Sequence, residues 1–115
     1  MPKHDTTFLD GSRFKRVKNP GRSRIEAAVL AMARDGVLVL SAEQDHTYIQ
    51  VWQRPDGIYQ LEHRAGSPSE HYRTLTVSPE KVYTAFDAWR RGDDGWDAPF
   101  TWRSIDFEVE CTHGT

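Results

Sequence analysis

The chain of 115 residues contains one cysteine, Cys111. No internal disulfide can form, and a reducing cytoplasm is the expected compartment. No window approaches the roughly 20 consecutive apolar residues of a membrane helix, and the first residues, through Phe14, lack the apolar stretch of a signal peptide. A membrane partner is therefore not expected. Neither phosphate-cradling glycine pattern, GxxxxGK or GxGxxG, occurs. The five histidines form no HxH or HxxxH pair, so neither a metal nor another cofactor is expected. No serine has the glycines of a nucleophile elbow, and Cys111 has no basic neighbour to activate it. Asp93, Asp94 and Asp97 fail the calcium-loop spacing. A non-enzymatic protein is expected.

What is present suits one folded unit. Hydrophobic residues make up 37% and charged residues 28%, with 5 Phe, 4 Trp and 4 Tyr to fill a core. A chain of this length buries roughly two-thirds of its unfolded surface. The net charge of -2 hides an asymmetry, because residues 1–24 carry seven cations against Asp5 and Asp10. Residues 1–22 also hold Pro2, Gly11, Pro20 and Gly21 without a sustained apolar period, and read as a basic N-terminal arm. Residues 23–115 form the single domain. The arm supports one alternative function, a nucleic-acid-associated or regulatory protein whose Arg13, Lys15, Arg16, Lys18 and Arg22 meet phosphates. The acidic remainder of the chain works against that reading.

Within the domain, Ser23-Arg24-Ile25-Glu26 has the form of a capping box. Ile25, Ala28, Val29 and Met32 then share a helical face, and Asp35-Gly36 stops a helix over 24–35. Val37 to Leu40 is an unbroken apolar run, read as a strand either buried on both faces or lying centrally in the sheet. Pro55-Asp56-Gly57 joins Tyr48–Arg54 to Ile58–Arg64 as a hairpin whose turn pairs Arg54 with Ile58. Val51 then faces Leu61, Ile49 faces His63 and Gln53 faces Tyr59. On the opposite face Trp52 meets Gln60, Gln50 meets Glu62 and Tyr48 meets Arg64. After a loop over 65–70, His71–Val77 reads as a strand. Ser78-Pro79 opens a second helix, which buries Val82, Phe86 and Trp89 and ends at Gly92. Trp102–Val109 closes the series. The order α-β-β-β-β-α-β predicts an α+β fold, an antiparallel sheet of about five strands with two helices packed on one face and the far face partly open.

The aromatic residues carry most of the functional signal. Tyr48 and Trp52 project from the polar face of the hairpin, Tyr72 is expected beside them, and Trp96 sits in the acidic loop Asp93–Asp97. Tryptophan and tyrosine beside charged residues have the composition of a protein-binding hot spot. The expected partner-binding set is therefore Tyr48, Trp52, Tyr72, Asp93, Asp94, Trp96 and Asp97, with the acids complementing a basic partner. A second copy of the chain is a further candidate partner. A small-ligand or enzymatic alternative would rest on His63 with Glu62, near His71 on the next strand. The hairpin register turns His63 inward, where a satisfied core histidine is the simpler reading.

The stretch Ser78–Gly92, leading through Trp96 to Phe100-Thr-Trp102, resembles small bacterial immunity proteins encoded beside polymorphic toxins. In that group a helix ends in an aromatic, a short segment and glycine, then reaches a tryptophan that opens a strand. Ala85, Trp89, Gly92 and Trp102 occupy those positions here, and the hairpin with Gly57 and Tyr59 is compatible. The likeness covers about residues 70–106. It implies an α+β, non-enzymatic protein that neutralises a partner toxin by covering its active site.

Overall fold

The computed structural model describes residues 6–12, 14–43, 47–65 and 71–104. Arg13, the tip of the loop at 66–70, and the end of the last expected strand from Ile105 lie outside the described residues, as does Cys111. Among the described residues the elements are β1 (Thr7–Gly11), β2 (Phe14–Lys18), α1 (Arg22–Leu30), β3 (Val37–Ala42), β4 (Thr47–Gln53), β5 (Tyr59–Ala65), β6 (His71–Thr76), α2 (Pro79–Arg91) and β7 (Arg103–Ser104). The strands make one antiparallel sheet of seven in the order β2-β1-β3-β4-β5-β6-β7. The two helices pack on each other and cover one face, giving the expected α+β architecture with two strands more than anticipated.

Those two strands correct the basic arm. β1 and β2 pair antiparallel, and β1 pairs along its length with β3, from Thr7 opposite Ala42 to Gly11 opposite Leu38. Thr7 and Leu9 are buried on the helix side. Asn19, in the left-handed region at φ 51, secures the return: its side-chain oxygen accepts from the Thr7 amide at 2.9 Å. A register shift between Leu9 and Gly11 interrupts the period of two, which hides the strands in the sequence.

The first helix also departs from expectation. It begins at Arg22, with Gly21 at the N-cap and no side-chain cap, so Ser23 lies inside its first turn. It ends at Leu30, and Asp35 rather than Gly36 takes the left-handed turn, at φ 67. β3 is central but not buried on both faces: Leu38 and Leu40 are sealed, while Val37 is 42% exposed.

The central hairpin follows its expected register at all six strand pairs. Arg54 donates its amide to the Ile58 carbonyl at 2.9 Å, and Gly57 takes φ 90. On the helix side Ile49, Val51 and Leu61 meet Val82, Phe86 and Trp89 from α2. Each such fully buried aliphatic chain contributes about 1.5–3 kcal/mol. α2 is capped as its sequence implies, with Ser78 Oγ accepting from the Lys81 amide and Gly92 at φ 73. A buried carboxylate ties the helices together. Asp87, 3% exposed, accepts from Arg90 and Arg91 of its own helix and from Arg22 of α1. Burial pushes its carboxyl upward, but the Arg90 hydrogen bond and the Arg90, Arg91 and Arg22 charges outweigh that and hold it below the usual range.

Candidate functional site

Strand alternation divides the expected site residues between the two faces of the sheet. The face away from the helices carries Tyr48 and Trp52. One row across it runs Val37, Trp52, Gln60, Leu75, on four adjacent strands. Leu75 is 49% exposed and Trp52 half-buried. The Trp52 indole N–H donates to the Asp35 carboxylate at 2.9 Å, so the left-handed turn after α1 fixes the ring's orientation.

The neighbouring rows hold a polar network. Glu62 accepts from Gln60 at 2.9 Å, from Gln50 at 3.3 Å and from His71 Nε2 at 3.1 Å. Arg64 donates to His71 Nδ1 at 3.4 Å. Because a guanidinium only donates, Nδ1 accepts in this contact and Nε2–H faces Glu62 as the donor. Tyr48 stands edge-on to His71 at 6.2 Å. Burial, and the Glu62 charge against that of Arg64, raises its hydroxyl pKa. The network shapes and stiffens the face. Among the described residues no group of three His, Cys, Asp or Glu could hold a metal. Glu62 and His71 do meet, but His63 follows Glu62 in the strand and so points to the opposite face; the three do not form one cluster.

On the helix side lies an aromatic cage. His63 stacks on Tyr72 at 5.2 Å and meets Trp96 and Trp102 edge-on at 4.9 and 4.6 Å. Burial, with a smaller contribution from His71, lowers its pKa from 6.5 to about 4, although Asp97 acts in the other direction. Two expected binding residues thus belong to packing. Trp96 is 8% exposed, sealed against His63 and Trp102 rather than presented to a partner. Tyr72 pairs with His63 across the strands and shares its face, so it does not stand beside Tyr48 and Trp52. The acidic loop sits on this side too. Asp93 pairs with Arg91 at 2.9 Å, and Asp97 supplies the backbone carbonyl that accepts from the Trp102 indole at 3.0 Å. Asp94 is exposed. A groove of about 730 Å³ separates this loop from α2, floored by Ala85, Ala88, Trp96 and Phe100.

The cations read as nucleic-acid ligands are placed on structure. Lys15, Arg16 and Lys18 lie on β2, the edge strand, where exposed lysines discourage unwanted strand pairing. Arg16 pairs with Asp10 at 3.0 Å, and Arg22 with Asp87 at 3.4 Å. Sequence reasoning passed over Val37, Leu75, Arg73 and Arg103, which share the open face with Tyr48 and Trp52. Their signal was parity: once Trp52 faces outward, every residue opposite it across the sheet does too.

The class defined is an α+β domain with an open-faced antiparallel sheet. No described helix is long and apolar enough to cross a membrane. Compared with known proteins, the chain matches no family model, no curated protein and no solved structure.

Proposed function

We propose that this chain is a non-enzymatic, cytoplasmic protein-binding domain that acts by covering a partner protein, in the manner of a bacterial immunity or inhibitor protein. The resemblance of Ser78–Trp102 motivates the class of partner, a toxin. The observation that supports the docking face is the row Val37–Trp52–Gln60–Leu75 on the uncovered side of the sheet. Trp52 is an anchor already held by Asp35, so little side-chain freedom is lost when a partner closes over it. The aliphatic ends of the row supply apolar area, and the Glu62 network keeps the surface between them flat and fixed.

The test is co-expression with the products of neighbouring reading frames, followed by capture with the Trp52→Ala and Leu75→Asp variants. Each should weaken capture by at least tenfold while the thermal midpoint stays within a few degrees of the parent, since neither side chain is in the core. Undiminished capture by both folded variants would remove this face from the interface.

A further inference from the structure

The open face differs in charge from the chain as a whole. Arg16, Lys18, Arg64, Arg73 and Arg103 project from it, against Asp10, Glu62 and, at its edge beside Trp52, Asp35. Among the described residues this face therefore carries a formal surplus of cations, on a chain whose net charge is -2. All three acids are already engaged within the face, Asp10 by Arg16, Glu62 by Gln50, Gln60 and His71, and Asp35 by the Trp52 indole. None is left to attract a basic partner. The acidic loop Asp93–Asp97 lies on the helix side, where Trp96 roots it beside His63.

We infer that the open face takes an acidic protein surface, one whose carboxylates meet the cations around an apolar residue seated in the Val37–Trp52–Leu75 row. This rests on the docking role proposed above and reverses the sign of partner that the acidic loop suggested. Two features favour protein over nucleic acid. The row Val37–Trp52–Gln60–Leu75 ends in aliphatic side chains, which stacked bases do not need. Phe8 and Tyr48 share a row but stand apart with Ser41 between them, and Trp52 lies four residues farther along β4, so the three rings make no contiguous stacking path. Opposed charges would chiefly accelerate association and make it sensitive to salt, with the apolar row setting the lifetime of the complex.

The experiment uses the full chain and fluorescence anisotropy. The probes are a labelled peptide of glutamates around a central Phe-Leu pair, the same peptide with lysines for glutamates, and a labelled poly-uridylate of matched charge. The acidic peptide should bind, and raising the salt should weaken it. Lys18→Glu and Arg103→Glu should each reduce its affinity about three- to tenfold. Lys81→Glu, on the helix side, should leave it unchanged. Failure of the acidic peptide to bind, equal binding of the lysine peptide, or an equal loss in Lys81→Glu would overturn the inference. Preferential binding of poly-uridylate would overturn it in favour of a nucleic-acid partner. If the peptide fails while Trp52→Ala still abolishes partner capture, only the charge assignment falls and the docking face stands.

Discussion

Acidification should loosen the molecule through His63 before any buried carboxylate titrates. In the folded chain this imidazole is enclosed by Tyr72, Trp96 and Trp102 and its pKa is lowered to about 4, against 6.5 when exposed. The unfolded chain therefore takes up a proton at a pH where the folded one does not. Stability is fully present above pH 6.5, and is lost progressively as the pH falls from there towards 4. At about 1.4 kcal/mol per pH unit the full displacement corresponds to about 3 kcal/mol. His63 is only partly buried, so solvent screening reduces this to about 1.5–2 kcal/mol. For a domain of this size that is a fall in thermal midpoint of roughly 6–10 °C.

The assay is thermal unfolding from pH 7 to 4.5, followed by tryptophan fluorescence, because Trp96 and Trp102 touch the titrating ring. His63→Phe keeps an aromatic ring in the cage and removes the proton site, so its midpoint should be nearly flat over the same interval. Asp87 does not confuse the result: its carboxyl is held below the ordinary range, and its contribution is lost only at still lower pH. A parent midpoint that does not fall between pH 7 and 4.5, or an equal fall in His63→Phe, would refute the reasoning.

Three further outcomes follow from the packing. Trp96→Ala should cost about 3–4 kcal/mol in urea unfolding, as a nearly sealed ring is removed from the cage. Partner capture, once normalised to folded protein, should not change. Asp87→Ala should cost about 2 kcal/mol at neutral pH, because it leaves Arg90, Arg91 and Arg22 without the carboxylate that joins the helices. That deficit should shrink in acid as the parent's Asp87 protonates. Gly92→Ala should cost about 1 kcal/mol by forcing a side chain into the left-handed cap at φ 73, with circular dichroism melts as the readout.

Local chemistry was legible in the sequence wherever it determined the structure alone. A three-residue turn fixes hairpin register, so Pro55-Asp56-Gly57 determined every pair from Gln53–Tyr59 to Tyr48–Arg64. Ser78, Pro79 and Gly92 likewise bounded α2. Wherever a distant segment decided the outcome, the same reasoning failed. Ser23 and Glu26 spell a capping box, yet the chain leaving β2 through Pro20 and Gly21 enters the helix two residues earlier, and packing of Ile25 and Val29 sets its position. Trp96 among aspartates looks exposed until His63, 33 residues earlier, supplies the wall it packs against.

The basic segment fails for a more instructive reason. Its lysines and arginines are interspersed with Phe14 and Val17, which suits an edge strand: those two pack against the core, and cations stand outward where an unpaired backbone edge would otherwise recruit another strand. The composition that marks a solvated tail is thus also the composition of a protected edge. What separates them is a pairing partner, and the β1–β2 pair joins the rest of the sheet through β3, across the whole of α1. The same fact bears on the proposed function. Cations on a free arm would reach for phosphates, whereas Arg16 and Lys18, held on a strand, share a face with Tyr48, Trp52 and Leu75. Their geometry is then set by the sheet, and a partner docking on the proposed face would have to match its shape as well as its charge.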